Sequence, residues 1–129
     1  MAEPFVYIGT WTIKPGKEDE ARKRMSEIAD FVETNEPRMI GFHVYSGDDG
    51  RTCSVVQLHP DCASMEFHMK VGAEHFATAF DFIEEITLEQ YYGTISDTLA
   101  AELAKWDETN VTVIKRPVHE AGFTRSNVR

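Results

Sequence analysis

No apolar run in this chain approaches the roughly 20 residues that a membrane-crossing helix needs, so a helical span is excluded. Basic charge is scarce as well. Thirteen Lys and Arg stand against 22 Asp and Glu, for a formal net charge of −9. The only basic clusters are Arg22-Lys23-Arg24 and Lys115-Arg116, and the first lies among carboxylates. Phosphate recognition needs clustered cations, so neither nucleic acid nor an anionic membrane surface is an expected partner. Cysteine is limited to Cys53 and Cys62, which form no Cys-x-x-Cys motif. Free thiols in a reducing compartment are the expectation. The start, Met1-Ala2-Glu3-Pro4, has neither the basic end nor the apolar block of a signal peptide, and a cytoplasmic location follows as the default. Repeats, low-complexity stretches, a glycine-rich phosphate loop and a Gly-x-Ser-x-Gly elbow are all missing. A single globular domain remains, long enough at 129 residues to bury a core without staples.

What is present is a sequence of alternating and helical periods. Phe5 to Ile13 alternates as a strand, with Phe5, Tyr7, Gly9, Trp11 and Ile13 on one face and Val6, Ile8, Thr10 and Thr12 on the other. After Lys14-Pro15-Gly16, a helix is expected from about Lys17 to Thr34. Its acidic opening, Glu18-Asp19-Glu20, suits the helix dipole, and Ala21, Met25, Ile28, Ala29 and Val32 form its apolar stripe. Asn35-Glu36-Pro37 ends it. Met39–Ser46 and Thr52–His59 read as a β-hairpin around a turn with Gly47 and Gly50. A helix with Asp61 as N-cap follows, interrupted at Gly72, and a second runs from about Glu74 to Glu85, with Phe76, Phe80 and Phe82 expected in the core. Ile86 to Tyr92 makes a fourth strand.

That order is β-α-β-β-α-β, an α+β ferredoxin-like antiparallel sheet with helices on one face. Strand aromatics are expected on the sheet face that no helix covers, and a second copy of the chain would cover it. Residues 94–129 form an extension. Ser96 caps a helix carrying Leu99, Leu103 and Trp106, Val111–Ile114 is a short strand, and the remainder to Arg129 is irregular. Trp106 implies that this extension packs on residues 1–93 or on a dimer partner.

The chemistry-bearing feature is His68. Met65, His68, Met69 and Gly72 recur at the spacing of one helix face, so the imidazole points toward the sheet among soft side chains. Such a histidine is either a hydrogen-bonded core residue or a titratable group beside a ligand cavity. The five histidines, His43, His59, His68, His75 and His119, lack the close ligand pairs of a zinc site, so no metal is expected.

Taken in order, Lys14-Pro15-Gly16-Lys17-Glu18, Asn35-Glu36-Pro37, Gly41-Phe42-His43-Val44-Tyr45, the hairpin, and His68 followed by His75-Phe76 resemble the antibiotic biosynthesis monooxygenase-like proteins over about Phe5 to Tyr92. The resemblance implies a ferredoxin-like subunit, a homodimer whose sheet faces close an α/β barrel, and a pocket between sheet and helices. Members include cofactor-free monooxygenases of phenolic or quinol substrates, and haem-degrading enzymes in which a helix histidine serves the iron. Two positions depart from the pattern: Leu58-His59-Pro60 stands where a tryptophan is common, and Arg38 where a glycine usually follows Glu-Pro. Carried onto this chain, the resemblance makes His68 the proton acceptor or the group that orients the substrate, and needs no flavin or metal. Trp11, Tyr45, Met65, Met69 and Phe76 would wall a small aromatic ligand. The alternative is a binding or interaction protein that keeps the fold without the chemistry.

Overall fold

Strand β1, Phe5–Ile13, is the centre of the sheet in the computed structural model, which describes residues 3–125. It pairs antiparallel with β3, Thr52–His59, on one side and with β4, Ile83–Tyr92, on the other. Strand β2, Gly41–Ser46, closes the hairpin with β3. A fifth strand, β5, Thr112–Arg116, lies parallel to β4, giving the order β2-β3-β1-β4-β5. The first four strands make the ferredoxin-like antiparallel sheet expected from the sequence. The fifth turns it into a mixed sheet, because parallel neighbours require a crossover and the extension supplies a helical one. Residues 126–129, the end of the segment read as irregular, lie outside the described residues, as do Met1 and Ala2 of the N-terminal motif.

Four helices pack on the face of β1 that carries Phe5, Tyr7, Trp11 and Ile13. These are α1 (Glu18–Asn35), α2 (Cys62–Val71), α3 (Ala73–Ala79) and α4 (Asp97–Leu103), the last running into a 3₁₀ turn at Ala104–Glu108. Trp11 and Ile13 join Ala21, Val55, Ala79 and Phe82 in one buried cluster. Phe5 joins Met65, Tyr91, Leu99 and Leu103 in a second. The Val, Ile, Leu, Met and Phe side chains among them contribute about 1.5–3 kcal/mol each when withdrawn from water. The extension therefore packs on its own chain, and Trp106 donates its indole N–H to the Tyr91 hydroxyl at 3.1 Å.

Three expectations need correction. The helix read from Glu74 to Glu85 ends at Ala79, and β4 begins at Ile83 rather than Ile86. The chain turns instead through Asp81 and Phe82, whose N–H groups bond back to Thr78 and Ala79, and the Phe82 carbonyl accepts from Lys14. The adjacent apolar residues Phe82 and Ile83 fit either period, which hid that turn. Phe82 is fully buried, whereas Phe76 and Phe80 are 42% and 47% exposed and pack edge to face on each other. Finally, the aromatics of β1 face the helices. The uncovered face carries an aliphatic patch, with Val6 and Ile8 of β1 paired beside Leu58 and Val56 of β3, among polar residues such as Thr10, Ser54 and Gln90 and the aromatics Tyr45 and Tyr92.

Candidate functional site

Between the helices and the inner face of the sheet lies a cavity of about 270 Å³. There α1 presents Met25, Ile28 and Phe31 over the sheet, and α2 breaks beside the space at Gly72. The lining is mainly apolar. Among the residues singled out from sequence, Trp11, Met65, His68, Met69 and Phe76 all border it. Tyr45 does not. It is 62% exposed on edge strand β2 and borders a separate groove against α1, because β2 turns Phe42 and Val44 inward in its place.

His68 comes from the last turns of α2, a helix started by Asp61, whose carboxylate accepts from the Ser64 N–H at 3.0 Å. Arg38 in turn holds the free side of the Asp61 carboxylate. Both carboxylate oxygens of Glu36 stand 2.9 Å from His68 Nδ1, so that nitrogen carries a hydrogen. Glu36 is buried, as the residue that closes the C-terminal end of α1. The other ring nitrogen, Nε2, lies 3.0 Å from the amide nitrogen of Gln57. The Gln57 carbonyl oxygen meets His59 Nε2 at 3.0 Å, and His59 Nδ1 meets the Ser64 hydroxyl at 2.8 Å.

One hydrogen pattern satisfies the whole chain. The amide of Gln57 donates to His68, His59 donates to the Gln57 carbonyl, and Ser64 donates to His59. Burial, reinforced by nearby His68, pushes the His59 imidazole down to about 3, so this residue stays neutral. A reversed pattern keeps the same contacts. If His68 gains a proton on Nε2, a turned Gln57 amide accepts it, His59 changes tautomer, and Ser64 becomes the acceptor. Buried polar groups left unpaired cost about 1–3 kcal/mol each. The chain thus takes up a proton with its four ring nitrogens and the Gln57 oxygen all still paired.

A second polar cluster borders the same cavity from the sheet. Glu89 on β4 lies directly opposite Gly9 on β1. The Tyr7 hydroxyl donates to its carboxylate at 2.7 and 2.9 Å, and Tyr91 donates to Oε1 at 3.0 Å. Tyr7 reaches Glu89 by lying along β1 over Gly9. A β-carbon at position 9 would stand on the Tyr7 hydroxyl and 2.7 Å from a Glu89 oxygen. Burial raises the Glu89 carboxyl to about 7, against the opposing pull of the tyrosine hydrogen bonds and of Lys105. The Tyr7 phenol is held well above its ordinary range by burial and by the neighbouring Glu89 charge. Trp11 adds a third handle, since its indole N–H is buried with no hydrogen-bond partner among the described residues.

Sequence reading missed Glu36, Gln57, Glu89 and Tyr91 as site residues. Glu36 was legible only as part of a helix stop. Gln57 and Glu89 did leave a trace, as polar residues at inward positions of alternating strands beside Val55 and Tyr91. Among the described residues, no three His, Cys, Asp or Glu side chains converge on a metal position. Both ring nitrogens of His68 are engaged, Nδ1 by Glu36 and Nε2 by Gln57, so any ligand that takes Nε2 must first displace the Gln57 amide.

No protein-family model and no curated protein matches this chain. Solved structures do. The crystal structure of MupZ from Pseudomonas fluorescens superposes with a TM-score of 0.75 at 17% identity, covering 98% of this chain and 99% of that one. SnoaB from Streptomyces nogalater (mutant N63A), a cofactor-independent oxygenase, gives 0.57 at 12% identity, over 64% of this chain and 86% of its own. A provisionally named antibiotic biosynthesis monooxygenase from Bacteroides thetaiotaomicron gives 0.58 at 13%, over 65% and 83%. At these identities the likeness establishes the fold, the ferredoxin-like architecture of antibiotic biosynthesis monooxygenases.

Proposed function

We propose that this chain is a cofactor-independent monooxygenase of a small aromatic, phenolic or quinol-type substrate, working as a cytoplasmic homodimer joined through its uncovered sheet faces. The observation that carries the reading is His68 on the wall of an apolar cavity, backed by the buried Glu36 carboxylate. The Glu36 carboxylate fixes the Nδ1–H tautomer and leaves Nε2 as the basic atom. A substrate hydroxyl entering beside Met65 and Met69 displaces the Gln57 amide from Nε2 and gives its proton to His68. The resulting anion is electron-rich enough to reduce dioxygen itself. Trp11 and Phe76 supply flat apolar walls, and the orphaned Trp11 N–H offers a donor to a ligand oxygen.

A second reading has its own support. Gln57 already satisfies His68 Nε2 at 3.0 Å, as it would in a binding protein whose polar chain only stiffens the pocket. Oxygen uptake with a panel of anthrols and hydroquinones separates the two. Wild type should consume oxygen, and His68→Ala should be slower by about 10²–10⁴-fold, the usual weight of a general base. Absence of uptake across the panel leaves the binding reading, and uptake unchanged in the variant removes His68 from the chemistry.

A further inference from the structure

The geometry points to Tyr7 and Glu89 as a second pole of the cavity that donates a hydrogen bond to a neutral acceptor on the ligand, a ketone or quinone carbonyl oxygen. The inference shares with the proposed function the premise that this cavity holds a ligand, and does not depend on oxidation.

The cluster holds few hydrogens to donate. Trp106 gives its N–H to the Tyr91 oxygen, and Tyr91 gives its only hydroxyl hydrogen to Glu89 Oε1. Tyr7 has one hydrogen too. While Glu89 is ionised, that hydrogen is committed to the carboxylate, 2.7 Å from Oε2. With a proton on Oε2, the carboxyl becomes the donor across the same 2.7 Å, Tyr7 accepts, and the Tyr7 hydrogen is released. The side chain carrying it lines the cavity. A ligand carbonyl is then the natural acceptor, whereas a carboxylate or phenolate ligand would meet the Glu89 charge whenever that group ionises.

Glu89 changes state in the right range, because burial raises it to about 7. Tyr7 faces it from β1, Tyr91 lies on its own strand, and Lys105 of the 3₁₀ turn is the cation acting on it. Glu102 of α4, His68 of α2 and His75 of α3 border the same cavity. Val113 of β5 stands opposite Glu89, with Lys115 two residues further, opposite Tyr91. Gly9 is the architectural requirement, since a side chain there would occupy the place of the Tyr7 hydroxyl.

The test uses fluorenone, a neutral aromatic ketone without a titrating group, against fluorene, which has the same shape and no carbonyl. Binding is followed by quenching of Trp11 and Trp106, both of which line the cavity, between about pH 5 and pH 9. At the acid end fluorenone should bind about 10-fold more tightly than fluorene, the value of one neutral hydrogen bond. That advantage should fade as pH rises through about 7. Glu89→Gln, whose amide donates to Tyr7 at every pH, should keep the advantage throughout, and Tyr7→Phe should lack it throughout. Circular dichroism checks the folding of each variant, and Tyr7→Phe decides the matter should Glu89→Gln not fold. Equal binding of the two compounds at low pH, no binding of fluorenone, or the same pH loss in Glu89→Gln would overturn the inference. Neither compound takes up oxygen, so a positive result here with no oxidation of the anthrols would remove the oxygenase reading alone.

Discussion

At the scale of the residue, the site is a matter of which buried groups hold protons. Glu89 and His59 have opposite consequences for stability. A free glutamate titrates near 4.5, and folded Glu89 near 7. The folded chain thus keeps a proton that the unfolded chain has released. That contribution is fully present below about 4.5 and is lost as pH rises through 7, by at most on the order of 3 kcal/mol. His59 is depressed from 6.5 to about 3, so its contribution is present above about 6.5 and is lost as pH falls toward 3. Because His59 gains while Glu89 loses up to about pH 6.5, urea unfolding should show wild-type stability nearly level from about pH 5 to 6.5 and falling above it, and Glu89→Gln rising to about pH 6.5 and then level. Equal slopes would mean that Glu89 is not the titrating group. His68 was legible in the sequence because a helix face has a fixed period. Its partners were not, because Glu36, Gln57 and His59 come from a helix end and a strand, and only the fold brings them to α2.

At the scale of the element, most of the architecture could be read from period and punctuation. Strand β1 matches its expected bounds, β3 likewise, and the hairpin turn sits where Gly47 and Gly50 place it. The helix capped by Ser96 is also found. The miss at α3 came where apolar residues run without a clear period. The element that matters most for the site is α2, and its start rests on Asp61. Asp61→Ala removes the cap on the Ser64 N–H and should cost about 1 kcal/mol. The exposed pair with Arg38 adds little to that figure. Thermal or urea unfolding measures it. A loss confined to the Arg38 pair would appear equally in Arg38→Ala, whereas the cap assigns most of it to Asp61 alone.

At the scale of the whole molecule, the sheet is covered on one side only. Val6 and Ile8 of β1, Val56 and Leu58 of β3 and Leu88 of β4 leave an aliphatic band on the other. Contiguous apolar surface of this kind is a feature of interfaces, and a self-complementary sheet face suits a two-fold dimer. Sedimentation of the wild-type chain at micromolar concentration should give a dimer. Ile8→Lys, at the centre of the band and pointing away from the cavity, should give a folded monomer. A wild-type monomer would contradict the proposed assembly. The alternation of β1 allowed both faces to be assigned from sequence, but not which face the helices would choose. That choice put Trp11 and Tyr7 inside and left Tyr45, on the edge strand, outside.

The most direct test of the proposed chemistry is the imidazole nitrogen spectrum of His68, recorded by NMR with and without an anthrol under exclusion of oxygen. The free protein should show a neutral ring with hydrogen on Nδ1 and none on Nε2, and bound anthrol should move a proton onto Nε2. A ring that keeps its neutral spectrum in a protein saturated with anthrol would contradict the role assigned to His68.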